Sequence, residues 1–324
     1  MDLLSTIQKP IEQDIIKFND YYRAQFKSDV KLLNETLAYM CNSIGKMMRP
    51  MLVMLVAKSI GKVDEKTFAA ASAMELLHTA SLVHDDVIDE SDMRRGNPSL
   101  NIVFNNNIAV LTGDFLFSQA LNNAAATGDI RVVRELSNLG KALSRGEMLQ
   151  VELRRDGTYC EENYIDVILS KTASLFVCSC VCAAYLAGAS KEVVESFAKF
   201  GENVGICFQI KDDIFDYYSN DIGKPTGSDM REGKITLPAL YVLRNSKNPL
   251  LASIKEKLTL GKELHDDEIA TLIEVSKTEG GVAYAESQIE KYRTLAVEAL
   301  PNTIPTELHS AFEAYIDYTI SRSK

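Results

Sequence analysis

Residues 65–90 read EKTFAAASAMELLHTASLVHDDVIDE, and their apolar positions recur at the three- and four-residue spacing of an α-helix. Ala, Leu and Met, all strong helix formers, fill the stretch. On both sides of it, 107–126, 131–153, 162–187 and 191–218 read the same way. No run alternates apolar with polar residues, so no significant sheet is expected. The breaks carry Gly, Pro or Asn: Gly45, Arg49-Pro50, Gly96-Asn97-Pro98, Gly128-Asp129, Asp156-Gly157 and Gly188. The longest loop signal is Asn220 to Gly233. No linker, repeat or boundary interrupts the chain. The expectation is a single all-α domain over 1–324, with roughly a dozen helices of ordinary length around a core.

Composition excludes several alternatives. With 17 Gly and 8 Pro in 324 residues, the chain is too poor in turn formers for an all-β fold or a disordered segment. The net charge of −10 and the lack of a basic stripe argue against nucleic acid as a partner. Any anionic substrate must then be met by local cations or a bound metal. The six cysteines form no Cys-x-x-Cys pair and no zinc spacing, so free thiols are expected. Cys178, Cys180 and Cys182 sit in an apolar run and read as core residues. The N-terminal MDLLSTIQKP lacks the basic start and apolar run of a secretion signal, so a cytoplasmic protein is expected. The uncharged run from Thr172 to Ser190 is long enough to be checked as a membrane span. Its Thr, Ser and Gly content favours a buried core helix, and no transmembrane segment is expected.

Two acidic words stand out, His84-Asp85-Asp86-Val87-Ile88-Asp89 and Gln209-Ile210-Lys211-Asp212-Asp213-Ile214-Phe215-Asp216. Each contains Asp-Asp-x-x-Asp at the end of a helical pattern. Residues four apart share a helix face, so Asp85 and Asp89 project together. Gln209, Asp212, Asp213 and Asp216 form one stripe. Such carboxylates repel one another unless a cation sits between their oxygens. Mg²⁺ suits them: it takes hard oxygen ligands and is held by one or two carboxylates plus substrate phosphates. Two facing stripes could gather several ions around one diphosphate. One word alone would read as a solvated helix end, but the repeat and the apolar flanks weaken that reading. Cationic residues cluster as well: Lys46 and Arg49, Arg94-Arg95, Lys171 before Thr172, and Lys224 and Lys234 at the ends of the glycine-rich loop. Such groups suit phosphate oxygens. His78 lies two turns before Asp85 on the same face.

In this order these words resemble the trans-isoprenyl diphosphate synthases. The likeness runs from Gly45-Lys46-x-x-Arg49-Pro50 through Glu75-Leu-Leu-His78-Thr-Ala-Ser-Leu-Val-His84-Asp85-Asp86-x-x-Asp89 and Arg94-Arg95-Gly96. It continues with Gly113-Asp114-Phe115-Leu116, Lys171-Thr172 and Gly205-x-x-Phe208-Gln209-x-x-Asp212-Asp213-x-x-Asp216. It closes on Gly223-Lys224 and Gly233-Lys234-x-Thr236-Leu237-Pro238. The resemblance implies an all-α terpenoid-synthase-type fold around a deep cavity, usually a homodimer. It implies that Asp85, Asp89 and Asp212 ligate Mg²⁺, with Asp86, Asp213 and Asp216 in support. Arg94, Lys171, Gln209, Lys224 and Lys234 would hold an allylic diphosphate, with Thr172 and Gln209 near its cation. Lys46, Arg49, His78 and Arg95 would hold isopentenyl diphosphate.

The resemblance also bears on product length. Ala80 and Ser81, five and four places before Asp85, are small, and Met74 and Leu77 further back are aliphatic. The first acidic word lacks the two-residue insertion of bacterial short-chain farnesyl synthases. Its surroundings look most like bacterial octaprenyl and solanesyl synthases, which implies a long-chain product for quinone side chains and transient membrane contact at product release. The rivals are a short-chain synthase, a terpene cyclase and a catalytically silent partner subunit. The intact second word speaks against a cyclase, and the full set of words against a silent subunit.

Overall fold

The computed structural model describes residues 2–41, 45–218 and 226–322. Seventeen α-helices occur among them, several of only one or two turns, so the count exceeds the dozen expected. In chain order they are α1 (Leu3–Gln8), α2 (Glu12–Arg23), α3 (Lys31–Cys41), α4 (Met48–Ile60), α5 (Glu65–Ile88), α6 (Leu100–Phe104), α7 (Asn106–Ala126), α8 (Ile130–Asp156) and α9 (Glu161–Ile168). Then follow α10 (Ser174–Leu186), α11 (Lys191–Phe215), α12 (Ser228–Arg231), α13 (Leu237–Asn245), α14 (Leu251–Thr259), α15 (Asp266–Thr278), α16 (Gly281–Ala299) and α17 (Thr306–Ser321). A 3₁₀ turn, Lys9–Ile11, joins α1 to α2, and a π-helical segment, Leu169–Ala173, joins α9 to α10. The only sheet among the described residues is a two-stranded hairpin, β1 (Met93–Arg94) with β2 (Asn97–Pro98). Arg95 and Gly96 turn it with φ of 51° and 78°, the left-handed pair that a two-residue hairpin loop demands.

The chain divides into two compact units. The first comprises Met1–Asn138, Cys178–Ala198 and Leu300–Tyr315. Its centre is α5, which packs chiefly against α7 and α4. Asp64 starts α5 through a reciprocal cap with Thr67, satisfying donors that the first turn leaves orphaned. Helix α4 is buried at every position from Pro50 to Ala57. Pro50 sits in its first turn, where a missing N–H costs nothing, so the Arg49-Pro50 break opens a helix. The second unit comprises Leu139–Val177, Lys199–Ala299 and Ile316–Lys324. There α13 packs on α15 and α16, and Tyr241 stacks on Tyr284 at 4.6 Å between ring centroids. The buried Tyr217 hydroxyl shares a hydrogen bond with Thr236 and accepts one from the Ala239 amide, tying the end of α11 to the start of α13.

Most of the apolar run from Thr172 to Ser190 belongs to the helical stretch Glu161–Leu186, and 72% of the most apolar window of that stretch is buried inside the fold. Cys178, Cys180 and Cys182 are buried, and all six cysteines are free thiols.

Candidate active site

The first acidic word ends α5. Carboxylates at a helix C-terminus face the negative end of the helix dipole, so this position calls for cations. Asp86 already has one: it is 4% exposed and accepts a forked bond from Arg94, with Nε at 3.0 and 3.2 Å from its two oxygens. Asp85 is half-buried, and Asp89, the C-cap, is exposed. His84 steadies this turn against α7, with Nε2 3.2 Å from the Val110 carbonyl and 3.5 Å from Asp114. A Cβ on Gly113 would stand 2.3 Å from that nitrogen, so the contact needs glycine there.

The residues assigned by resemblance to isopentenyl diphosphate lie in the same unit. Met47 and Arg95, which flank or belong to the set, are non-glycine residues held at positive φ of 56° and 51°. Such strain, on the order of 1 kcal/mol each, persists where surrounding contacts fix it. Lys46 is exposed and Arg49 and His78 are half-buried. Burial holds the His78 imidazole well below its usual range, and the positive charges of Arg49, Arg95 and Arg94 push it further. His78 is therefore neutral at pH 7, and a neutral imidazole can still donate one N–H to an anion.

In the second unit the π-helical segment carries Lys171 and Thr172. π-turns inside α-helices are rare and frequent at functional sites. From here a chain of hydrogen bonds runs inward. Thr172 donates to Gln209 Oε1 at 2.6 Å, Gln209 Nε2 donates to Asp213 Oδ1 at 2.7 Å, and the buried Tyr164 hydroxyl donates to Asp213 Oδ2 at 2.7 Å. Asp213 is 4% exposed. Burial and the nearby charge of Asp229 raise its carboxyl well above the usual range, against the pull of Tyr164 and Gln209. Asp229 is itself pushed up to about 7, by burial first and then by Asp216. Asp216 accepts the backbone amides of Ser228 and Asp229, at 2.9 and 3.1 Å. Asp212 remains exposed and receives Arg322 Nη2 at 3.2 Å, while that guanidinium lies 3.8 Å from the Phe208 ring centroid. Lys171 pairs with Glu147 at 2.5 Å, and Lys234 with Glu232 at 2.5 Å. Lys224 lies outside the described residues. Lys171, Thr172, Gln209, Asp213, Asp229 and Lys234 line one cavity of about 140 Å³, together with apolar Val167, Ile168, Ile235 and Leu240.

The six carboxylates differ in exposure. Asp86 and Asp213 are buried against protein partners, whereas Asp85, Asp89, Asp212 and Asp216 keep solvent-accessible surface, Asp212 beside Arg322 and Asp216 beneath two backbone amides. No group of three or more His, Cys, Asp or Glu among the described residues is arranged to enclose a metal. That donor set fits Mg²⁺, which needs few carboxylates when phosphate oxygens and water complete its shell. Of the residues proposed to set product length, Met74, Leu77 and Ala80 are buried on α5. Ser81 is half-buried and donates to the His78 carbonyl at 2.9 Å.

The polyprenyl synthetase family model matches residues 30–275. The chain belongs to that family. The chain is accordingly a prenyltransferase. It is 35% identical to the octaprenyl diphosphate synthase of Haemophilus influenzae over 93% of each chain. Among solved structures, a polyprenyl synthase from Caulobacter crescentus CB15, complexed with calcium and isoprenyl diphosphate, superposes with a TM-score of 0.91 at 28% identity, covering 99% of this chain and 98% of that one. A geranylgeranyl pyrophosphate synthase from Bacteroides thetaiotaomicron superposes with a TM-score of 0.85 at 40% identity, covering 99% and 100%. These neighbours share the all-α fold seen here.

Four residues that lie beside the predicted ones were not singled out by the sequence. Asp229 lay in the stretch read only for its glycines and lysines. Tyr164 lay in a plain amphipathic helix, and Arg322 in a C-terminal segment that offered helical character alone. Glu75 stood in a quoted motif without a role.

Proposed function

We propose that this chain elongates an allylic diphosphate with isopentenyl diphosphate, head to tail, to give a long-chain all-trans product in the octaprenyl to nonaprenyl range used for quinone side chains. The observation that carries this is the exposure of the carboxylates, with Asp85, Asp89 and Asp212 accessible at two helix C-termini while Asp86 and Asp213 are buried against their partners. Those three are the proposed Mg²⁺ ligands, and Asp86, Asp213 and Asp216 hold the turns that present them. Bound Mg²⁺ supplies Lewis acidity toward the departing diphosphate. Arg94, Lys171, Lys224 and Lys234 grip the allylic diphosphate and stabilise its growing charge. Thr172 and Gln209 direct oxygen dipoles toward the allylic cation. The apolar wall of Val167, Ile168 and Ile235 keeps water from that cation. Lys46, Arg49, His78 and Arg95 hold isopentenyl diphosphate with its double bond toward the cation, and the proton lost after attack passes to the released diphosphate.

The octaprenyl relative supports the long-chain reading, and calcium beside isoprenyl diphosphate in the Caulobacter structure supports a divalent-cation site. The Bacteroides relative favours a second reading, a C20 product. Further parts of the reading are a single catalytic domain, a homodimer and a cytoplasmic enzyme that touches membrane only at product release. Helices α8, α10, α11 and α17 each run from one unit into the other, which supports one domain. Exposed Ile102, Val103, Leu111, Phe117 and Leu121 on α6 and α7 offer an apolar face for a second copy.

The test supplies purified protein with Mg²⁺, isopentenyl diphosphate and farnesyl diphosphate, with an EDTA control, and sizes products by mass spectrometry. Mg²⁺-dependent products beyond C30 support the proposal. Products ending at C20 overturn the chain length and keep the enzyme class. No product from folded protein overturns the activity.

A further inference from the structure

Three carboxylates of the chain that are mentioned above or in the quoted motifs are almost fully buried: Glu75, Asp86 and Asp213, at 6%, 4% and 4% exposure. The last two are satisfied, by Arg94 and by Tyr164 with Gln209. Glu75 differs, because its Oε2 has no hydrogen-bond partner. Burying a carboxylate in that state is costly, and the cost points to a role outside the core. Glu75 stands on α5 three residues before His78 and faces a cavity of about 40 Å³ shared with Tyr22, Gly45, Met47, Thr79 and Arg95.

Across that cavity the Arg95 guanidinium lies against Gly45. A Cβ built there would be 2.7 Å from Nη1 and 2.9 Å from Cζ, so glycine is what lets the cation settle. The backbone of Arg95 is held at φ 51° beside it. Burial raises the Glu75 carboxyl above its usual range, and the charges of Arg49 and Arg95 draw it part of the way back. The same two arginines, with Arg94, bear on His78. Several like charges are therefore gathered in one place, and Glu75 is the buried acid among them.

We propose that Glu75 is a positioning residue, the fixed counter-charge that, with the bare surface of Gly45, holds Arg49 and Arg95 ready for the diphosphate of the isopentenyl substrate. The inference rests on the assignment of that cradle under the proposed function. Without the carboxylate the two cations spread apart, and the diphosphate must regather them on binding. The loss falls on one substrate only. The allylic diphosphate, gripped by other residues, is untouched.

The variants are Glu75→Gln, Glu75→Asp and Gly45→Ala in the full chain. Each KM is measured with the other substrate saturating, and isopentenyl diphosphate alone is titrated calorimetrically without turnover. In Glu75→Gln the isopentenyl KM and Kd rise at least about tenfold, the loss of one charge-assisted interaction. The allylic KM stays within about twofold, and Glu75→Asp recovers part of the loss. Gly45→Ala gives the same selective rise from a loop position that removes no core contact, so the idea remains testable if Glu75→Gln does not fold. An unchanged isopentenyl KM, or both KM values rising together, overturns the role of Glu75. Wild-type turnover keeps the proposed function in either event, and its absence removes that function instead.

Discussion

The helix ends of α5 and α11 carry the same word, Asp-Asp-x-x-Asp, and neutralise it by different means. At α5 the buried aspartate, Asp86, meets a full positive charge from Arg94 on the β1–β2 hairpin. At α11 the equivalent Asp213 meets only neutral donors, Tyr164 and Gln209, with Asp229 close by. An ion pair satisfies charge and hydrogen bonds together. Neutral donors satisfy the hydrogen bonds and leave the charge, so Asp213 and Asp229 rise toward their protonated forms. The buried aspartate of α5 thus carries its counter-charge within the fold, whereas that of α11 has hydrogen bonds and, among the described residues, no cation beside it.

The largest expected effect leaves the contrast aside and removes an accessible carboxylate from each end. Asp85→Ala and Asp212→Ala should each lower turnover at least about 10³-fold, the scale of lost metal stabilisation, while thermal unfolding stays near wild type. Normal turnover in either variant breaks the proposed ligand roles.

The next effect separates the two ends. Arg94→Gln strands Asp86 and should cost about 2–3 kcal/mol of stability, below the figure for a fully buried pair because Arg94 is 39% exposed. Tyr164→Phe removes one hydrogen bond from Asp213 and should cost about 1–2 kcal/mol. Urea midpoints measure both. A larger loss in Tyr164→Phe would reverse the contrast.

A third prediction concerns pH. Unfolded aspartate titrates near 4, and folded Asp229 near about 7. Between these limits the folded chain binds the extra proton. Its contribution is therefore greatest below about pH 4 and falls as pH rises toward 7. In EDTA, wild type should gain less from a rise between pH 4.5 and 7 than Asp229→Asn, which lacks the titration. Parallel stability curves for the two proteins would mean that Asp229 does not titrate in this range.

The smallest effect belongs to the α5 side. Gly113→Ala should move the His84 imidazole off α7 and raise the Mg²⁺ concentration for half-maximal rate about threefold, since a displaced Asp85 costs well under a full coordination bond. An unchanged Mg²⁺ dependence would mean that His84 does not set that turn.

Much of this was legible in the sequence for a plain reason. Helical periodicity is local, so α5, α7, α8 and α11 could be bounded within a few residues, and the acidic words announced themselves by composition. What stayed hidden depends on contacts distant in sequence. Tyr164 reaches Asp213 from 49 positions away, and Arg322 reaches Asp212 from 110. Neither type of residue is unusual where it sits. Glu75 was visible as a letter, yet its missing partner exists only in three dimensions. The π-segment had no signal at all, since Leu169-Ser170-Lys171-Thr172-Ala173 contains neither Gly nor Pro.

That segment has a consequence in the currency of insertions and deletions. A π-turn is a helix carrying one residue more than its register needs, and one residue turns a helix by about 100°. Deleting Ser170 would let α9 and α10 fuse into one uninterrupted helix, and would rotate every side chain on one side of the join by that angle relative to the other. Lys171 and Thr172 would lose their aim although no functional residue had been changed. Among homologous chains, a gap at this position should therefore mark loss of catalysis more reliably than most substitutions elsewhere in the same helix.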